Sequence, residues 1–265
     1  ITVAVKVMIP AMASDPSCIE RFRDEASACA RLKHPNTVRF FDSGQTADGR
    51  LFMTMEYLQG MSLRQAIASG APMPPQRVGH ILTQVCSSLT EAHQLGIIHR
   101  DLKPDNIFLI QQPGNRDFVK VLDFSVAKLL HENKQLTKAG TVFGTPQYMT
   151  PEQGRNQPMD ARSDMYSLGV IAYEMLTKRL PFYHQNPQMN LQMHVQNPVP
   201  PLPNTVPPGT RDIIMRLLHK EPAHRFQYAT ELLQTVQSHM LGAMPAHGHP
   251  VNVPHGIART GSAPP

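Results

Sequence analysis

The order in which strand-like and helix-like segments follow one another constrains the fold of this chain more than any other feature. Alternating β-branched residues predict a strand at 1–7, and two further strands are predicted at 38–42 and 51–56. Between the first two lies one amphipathic helix, from Pro16 to about Lys33, in which apolar residues recur at helical spacing. Beyond these strands the patterns are mostly helical. This order predicts an α+β fold of two lobes, with a small β-rich lobe first and a large helical lobe second.

The second part of the chain contains one helix that we expect to be buried on all sides. Residues Met165–Leu176 are apolar almost all round, which is typical of a buried helix. A helical pattern also starts at Gln59 and stops at Gly96, whereas residues 181–210 are rich in Pro, Asn and Gln and predict an irregular crossing. The remaining predicted elements are a strand pair at 107–110 and 119–122 and two closing helices at about 210–219 and 228–240.

Composition excludes several classes of protein. The chain has 265 residues and a formal charge of +5, but its Lys and Arg residues are scattered, which argues against a nucleic-acid partner. No run approaches the ~20 apolar residues that a membrane-spanning helix needs. Cys18, Cys29 and Cys86 form no CxxC pair and favour a reducing, cytoplasmic setting. After Leu241 the chain is rich in Pro, Gly, His and Ala, which predicts a disordered linker.

Eight consecutive residues, 99–106 with the sequence HRDLKPDN, carry the strongest functional signal. Asp101 can take a proton from a hydroxyl nucleophile, Lys103 can balance charge on a phosphoryl group, and Asn106 can ligate a magnesium ion. His, Arg and Asp also cap helices and form pairs on ordinary loops. Eight residues in this order, however, rarely recur without their mechanism.

At every fixed position this segment matches the protein-kinase pattern H-R-D-L-x-x-x-N, so the chain resembles a protein kinase. Lys103 is similar to the serine/threonine branch, and the chain from about Ile1 to Met240 is similar to bacterial serine/threonine kinases of the eukaryotic-like type. The resemblance implies transfer of the ATP γ-phosphoryl group to a Ser or Thr hydroxyl of a protein, with ATP and Mg²⁺ as cofactors. It makes Asp101 the base and Asn106 a magnesium ligand.

Two further motifs extend the resemblance to the nucleotide phosphates. Lys6 in Val-Ala-Val-Lys matches the strand lysine that holds the α- and β-phosphates, and Glu25 stands where its ion-pair partner is expected. Asp123 opens Asp-Phe-Ser where the family has Asp-Phe-Gly, and it is implied to bind magnesium. Ser125 replaces a glycine that tolerates positive φ, which restricts how this segment can switch.

The resemblance also implies a nucleotide pocket between the lobes. Ala4 and Phe108 are expected to sandwich the adenine, and Met55 is expected to guard the back of the pocket. Glu56 and Leu58 lie in the predicted hinge and are expected to contact the nucleotide. By the same resemblance a spine of core side chains crosses the lobes, formed by Cys29, Phe40, His99 and Phe124.

Residues 123–152 resemble the activation segment of the family. Thr141 is the favoured phosphorylation site and Thr137 the second, and Arg100 could capture the phosphate; both threonines could equally be ordinary loop residues. Thr145 in Gly-Thr-Pro is expected beside the substrate hydroxyl. Two interactions that stabilise the scaffold are implied as well. Glu152 is expected to form a buried ion pair with Arg225, and Asp164 is expected to hold the backbone of the catalytic loop in position.

The resemblance divides the chain into a partial small lobe at 1–57, a large lobe at 58–240 and a tail at 241–265. The family's glycine-rich loop should precede Lys6, but no glycine stands before Gly44, so we expect a chain truncated at its N-terminus. Two functions follow: an active kinase, or a catalytically impaired kinase-like module that binds partners. The intact catalytic residues favour the first, whereas the missing glycine-rich loop and the Asp-Phe-Ser sequence favour the second.

Overall fold

The computed structural model of the chain describes residues 2–7, 16–124 and 145–241. Within these ranges two antiparallel sheets and several helices form a small β-rich part and a larger helical part, which confirms the predicted α+β fold. Most buried apolar side chains belong to one core in the helical part. A second, smaller cluster lies between the first sheet and the first helix.

The first sheet has the strand order β1-β3-β2, with both neighbours antiparallel. Its strands are β1 (Val3–Val7), β2 (Phe40–Gln45) and β3 (Leu51–Glu56). Helix α1 (Pro16–Arg31) covers this sheet because Phe22 and Ala26, one helical turn apart, are buried against Leu51 and Met53. These elements confirm the predicted ones, except that β2 lies a few residues later in the chain than expected.

The second sheet joins a short strand to the predicted hairpin, in the order β4-β5-β6. Its strands are β4 (Gly60–Ser62), β5 (Ile107–Gln112) and β6 (Asn115–Val121). Strand β4 corrects the prediction of a helical pattern from Gln59. Gly60 approaches β5 so closely that a Cβ atom there would lie 2.1 Å from the carbonyl oxygen of Leu109. The helix begins only after Ser62, whose side chain accepts a hydrogen bond from its first turn.

The helical part is built around one buried helix. Its helices are α2 (Leu63–Ser69), α3 (Pro75–Gln94), α4 (Pro151–Gly154), α5 (Ala161–Thr177), α6 (Pro187–Gln196), α7 (Pro208–Leu217) and α8 (Ala229–Met240). Every residue of α5 from Ser163 to Leu176 is buried, as its apolar pattern predicted. The two closing helices are confirmed as α7 and α8. Among the described residues, none of the helices combines the length and apolar character needed to cross a bilayer.

Helix α6 corrects the prediction that residues 181–210 form an irregular crossing. Asn186 caps it, because its side-chain oxygen accepts hydrogen bonds from two backbone N–H groups of the first turn, at 2.9 and 3.2 Å. Pro187 takes the first helical position. The buried residues of this helix are Asn190 and His194 rather than apolar ones. An apolar spacing that would have indicated a helix is therefore largely absent from the sequence.

The segment that follows α1, residues 33–38, is fastened to the helical part of the molecule. The two backbone N–H groups at its start donate to the carboxylate of Glu91 on α3, at 2.8–3.1 Å. The side chain of Asn36 donates to Gln84 at 3.1 Å and to a carbonyl of β6 at 2.8 Å. Two backbone hydrogen bonds to β6, of 2.7 and 2.9 Å, complete the attachment. We call residues 33–38 the joint segment.

Candidate active site

The backbone of residues 99–106 is held by one buried carboxylate. Asp164, in the first turn of α5, accepts hydrogen bonds from the backbone N–H groups of His99 and Arg100, both at 2.9 Å. His93 Nε2 lies 2.8 Å from the same carboxylate. Burial acts to raise the pKa of Asp164, but the hydrogen bonds from the His93 side chain and from the backbone N–H of His99 lower it below its ordinary value. The loop is thus positioned by α5, as the sequence predicted.

Two residues of the site adopt left-handed backbone conformations that side chains other than glycine rarely adopt. Arg100 has φ = 63° and Asp123 has φ = 48°. Such conformations cost free energy, and they persist where the surrounding structure enforces them, which is often at functional sites. At Arg100 the enforcing contact is the hydrogen bond from its N–H to Asp164.

The three candidate catalytic residues of the loop come together. Lys103 Nζ lies 2.8 Å from Asp101 Oδ2, and both side chains are about one-fifth exposed. Asn106 donates its amide N–H to the carbonyl oxygen of Asp101 at 2.9 Å. A short 3₁₀ turn, Pro104–Asn106, brings Asn106 back towards Asp101 and leads directly into β5.

Lys6 and Asp123 also meet, although they are far apart in the chain. Lys6 Nζ lies 2.9 Å from Asp123 Oδ1, and the two side chains are 48% and 36% exposed. This contact joins β1 of the first sheet to the residues that follow β6. The expected pair of Lys6 with Glu25 cannot be compared, because the side chain of Glu25 lies outside the described residues. An accessible cation and an accessible carboxylate thus lie side by side at the mouth of the site.

The expected spine residues are in contact where the structure describes them. The rings of His99 and Phe124 lie 4.9 Å apart, and Cys29 Sγ is 3.7 Å from the carbonyl oxygen of Phe124. Phe40 lines a small cavity of about 30 Å³ together with Cys29, Phe124, Lys6 and Asp123. Burial lowers the pKa of His99, so its ring is neutral in the folded protein at physiological pH.

The candidate nucleotide-binding residues lie on β1, β3 and β5 and in the segment that follows β3. Ala4 pairs directly with Met55 across β1 and β3, and Met55 reaches the small cavity described above. The Glu56 carboxylate is already used, since it accepts from the backbone N–H of Arg39 at 2.7 Å and from Lys120 at 2.6 Å. Both hydrogen bonds fall on the Oε1 atom of this carboxylate, and the backbone N–H of Glu56 donates to the carbonyl oxygen of Arg39 at 2.9 Å. Of the other two candidates, Phe108 lies on β5 and Leu58 lies two residues after the end of β3.

Thr145 lies beside the catalytic loop in an open cavity of about 550 Å³. Lys103 lines the same cavity, so these two predicted residues are brought together. The candidate phosphorylation sites Thr137 and Thr141 and the unusual Ser125 lie outside the described residues.

The pair expected to anchor the end of the activation segment is formed. Arg225 donates two hydrogen bonds of 2.8 Å to the two carboxylate oxygens of Glu152. The guanidinium is fully buried and the carboxylate is 4% exposed. Arg225 also donates to backbone carbonyls of three neighbouring residues, which are His219, Lys220 and Arg162.

Sequence reasoning missed a polar network at the rim of the 550 Å³ cavity. Arg64 on α2 contacts Asp105, Glu174 and the hydroxyl of Tyr148. Asp105 stands inside the HRDLKPDN motif, but at a position that the family pattern leaves open. Glu174 interrupts the apolar pattern of α5, and a carboxylate within a buried helix is a signal that could have pointed to a partner.

Comparison with known proteins agrees with this site. A protein kinase domain model matches residues 1–237. The serine/threonine-protein kinase pkn3 of Myxococcus xanthus is 42% identical over 231 residues, which are 84% of this chain and 42% of that protein. The serine/threonine-protein kinase PknB of Mycobacterium leprae is 40% identical over 236 residues, 87% of this chain and 37% of that protein. The crystal structure of the Mycobacterium tuberculosis PknI kinase domain superposes with a TM-score of 0.66 at 27% identity, over 89% of this chain and 84% of that one.

The chain belongs to the protein kinase family, which confirms the resemblance drawn from residues 99–106. Its curated relatives are bacterial serine/threonine kinases, and the chain spans about two-fifths of the length of pkn3 and PknB.

Proposed function

We propose that this chain transfers the γ-phosphoryl group of ATP to a Ser or Thr hydroxyl of protein substrates. The observation that carries the proposal is the cluster of Asp101, Lys103 and Asn106 on one loop, together with the Lys6–Asp123 pair. The two groups are connected by the backbone hydrogen bond of 2.8 Å that Leu122, the residue before Asp123, donates to the carbonyl oxygen of Asn106. Phosphoryl transfer needs little covalent chemistry from the protein, and it depends on positioning and charge stabilisation. A base, two cations and two oxygen ligands for a metal are the groups that such a reaction requires.

The residues present fit a magnesium ion and the phosphates of ATP. Magnesium prefers oxygen ligands, and Asp123 offers a carboxylate while Asn106 offers an amide oxygen. Asn106 uses its amide nitrogen on the carbonyl of Asp101, which leaves the amide oxygen for a metal. When bound, magnesium would neutralise phosphate charge. Lys6 is exposed enough to contact a phosphate as well as Asp123.

In the proposed reaction Asp101 orients the substrate hydroxyl and accepts its proton. The hydroxyl oxygen forms a bond to the γ-phosphorus while the bond from that phosphorus to the ADP oxygen breaks. Lys103, 2.8 Å from Asp101, supplies positive charge beside the transferring group. Thr145, on the wall of the same cavity, lies where the substrate segment would pass. Ala4, Met55, Phe108 and the backbone at 56–58 would hold the adenine.

Regulation by phosphorylation forms part of this proposal. Arg100 would capture a phosphate on Thr141 or Thr137, because guanidinium groups form bidentate hydrogen bonds with phosphate. We further propose that residues 1–57 and 58–240 act as the small and large lobes of this domain. A cytoplasmic setting for the domain is supported by the spacing of Cys18, Cys29 and Cys86, which form no CxxC motif in the sequence.

A radiolabel assay tests the proposal. The chain is incubated with γ-labelled ATP, Mg²⁺ and a generic protein substrate, beside Asp101→Asn and Asp212→Asn variants. Asp212 is an exposed carboxylate on α7 and lines neither of the two cavities described above, so its variant controls for loss of one negative charge. We expect label in the wild-type and Asp212→Asn reactions and at least about a hundredfold less with Asp101→Asn. Equal incorporation by wild type and Asp101→Asn would refute the assignment of the base.

The second function considered from the sequence, a catalytically silent binding module, is not favoured by the relatives. Those reported above carry the names of serine/threonine kinases. A silent module also has no need to keep Lys6, Asp101, Asn106 and Asp123 together in one site.

A further inference from the structure

The turn that follows Thr145 faces the 550 Å³ cavity on one side and packs on helix α6 on the other. This 3₁₀ turn, Pro146–Tyr148, begins directly after Thr145, and Thr145 and two residues of the turn line the cavity. The face of α6 that packs under the turn is polar, since the buried residues of this helix are Asn190 and His194. A shift of the turn relative to α6 would therefore change the shape of the cavity beside the catalytic loop.

Asn190 is hydrogen-bonded to the backbone of this turn. With its amide in the orientation that satisfies both polar atoms, the nitrogen donates to the carbonyl oxygen of Pro146 at 3.0 Å and the oxygen accepts from the N–H of His184 at 2.9 Å. In the opposite orientation two oxygens would lie 3.0 Å apart, and the nitrogen would donate to the carbonyl of Phe182 at 3.3 Å. The side chain is fully buried, so water does not take the place of these partners.

Helix α6 is itself fixed in the large lobe, so its buried face has a defined position. His194 Nδ1 lies 3.0 Å from the hydroxyl of Tyr166 on α5, and the carbonyl oxygen of His194 accepts from Lys220 at 2.8 Å. Helix α4 packs so closely on α6 that a Cβ atom at Gly154 would lie 2.5 Å from the side chain of Val195. Contacts on α4, α5 and the segment after α7 thus hold α6 in place.

We propose that Asn190 is a positioning residue for the protein substrate, because it holds the turn Pro146–Tyr148, and with it Thr145, in the place where the substrate segment passes. It acts through the backbone of Pro146 and does not line the cavity. An apolar side chain at position 190 would fill the same space but would leave this carbonyl without its partner. The proposal rests on the proposed kinase activity, since it concerns the substrate of that same site.

Steady-state kinetics test the proposal with the protein substrate of the radiolabel assay. Asn190→Leu keeps a similar side-chain volume and removes both hydrogen bonds. We expect KM for the protein substrate to rise about tenfold, with KM for ATP within about twofold of wild type. Loss of folded protein lowers kcat but leaves both KM values unchanged, so this result cannot come from instability alone. If Asn190→Leu does not fold, Asn190→Ser is used, for which we expect the same pattern with a smaller rise.

A matched variant controls for the loss of an amide that is bonded to the backbone. Gln227, between α7 and α8, donates to three backbone carbonyls at 2.8–3.2 Å and lines neither cavity. Gln227→Leu should keep both KM values of the wild type. An unchanged KM for the protein substrate in the position-190 variant, or an equal rise in both KM values, would overturn the role of Asn190.

Hydrogen–deuterium exchange of residues 145–150 keeps this inference distinct from the proposed function. Two backbone N–H groups donate to carbonyl oxygens at this turn, at 3.1 and 3.3 Å, so loosening of the turn exposes them to exchange. We expect about tenfold faster exchange in Asn190→Leu and the wild-type rate in Gln227→Leu. Faster exchange without phosphoryl transfer by the wild type would refute the proposed activity and leave the hold of Asn190 on the turn in place. Exchange at the wild-type rate in Asn190→Leu would overturn that hold.

Discussion

Removal of Arg225 should destabilise the domain strongly, because its guanidinium is the partner of a buried carboxylate. In Arg225→Met the carboxylate of Glu152 stays buried, with the hydroxyl of Ser163 at 3.0 Å as its remaining side-chain partner. Breaking a buried ion pair by removing one partner costs about 3–5 kcal/mol, because the other charge is left uncompensated. Arg225 also donates to three backbone carbonyls, so we expect a cost at the upper end of this range at pH 7.

Urea unfolding of wild type and Arg225→Met at pH 7 measures the difference in unfolding free energy. The double variant Glu152→Gln/Arg225→Met is the control, since it removes both charges and should recover part of the lost stability. A single variant within about 1 kcal/mol of wild type would contradict the reasoning. So would a double variant that is less stable than the single one.

Three further predictions concern other contacts. Gly60→Ala should lower the unfolding free energy by more than about 2 kcal/mol, as urea titration would show, because its Cβ atom would collide with the carbonyl oxygen of Leu109. Burial and the nearby Lys220 lower the pKa of His194 to about 3, so His194 is neutral when folded. The unfolded chain binds a proton at this residue below about pH 6.5, so the unfolding free energy should fall by about 1.4 kcal/mol for each pH unit below that value. This slope should be absent from His194→Gln. Asp164→Ala should lower kcat at least about tenfold with KM for ATP nearly unchanged, and an unchanged kcat would show that the loop holds its own geometry.

Much of this fold could be predicted because its main elements have strong periodic patterns. The apolar residues of α5 and the alternation in β1 and β3 indicate their structure without tertiary information. Helix α6 could not be found in this way, since Asn190 and His194 form its buried face and polar residues give no hydrophobic period. Strand β4 was missed for a different reason. It is only three residues long, and it exists because Gly60 allows close contact with β5, which lies far along the chain.

The candidate site was predicted where its residues belong to motifs, and the network on Arg64 was missed because no motif contains it. Asp101, Lys103 and Asn106 could be assigned from eight consecutive residues, and the pair of Glu152 with Arg225 could be expected because each residue stands in a motif of its own. The partnership of Arg64 with Glu174 could not, because α2 and α5 are separated by more than 90 residues and no local pattern links them. Where no motif names the partners, the pairing of two charges depends on packing that only the folded chain shows.

The attachment of the joint segment has a consequence for how the two parts of the molecule can move. Residues 33–38 are tied to α3 and β6 through Glu91, Asn36 and two backbone hydrogen bonds. The end of α1 next to this segment therefore travels with the helical part of the molecule, and the opposite end is carried by the first sheet. If α1 rotates, the joint segment is the fixed point of the rotation, and the displacement of a residue increases along the helix towards Pro16. A small rotation of α1 would leave Cys29 close to Phe124, whereas a residue three turns further along the helix would move by several ångströms.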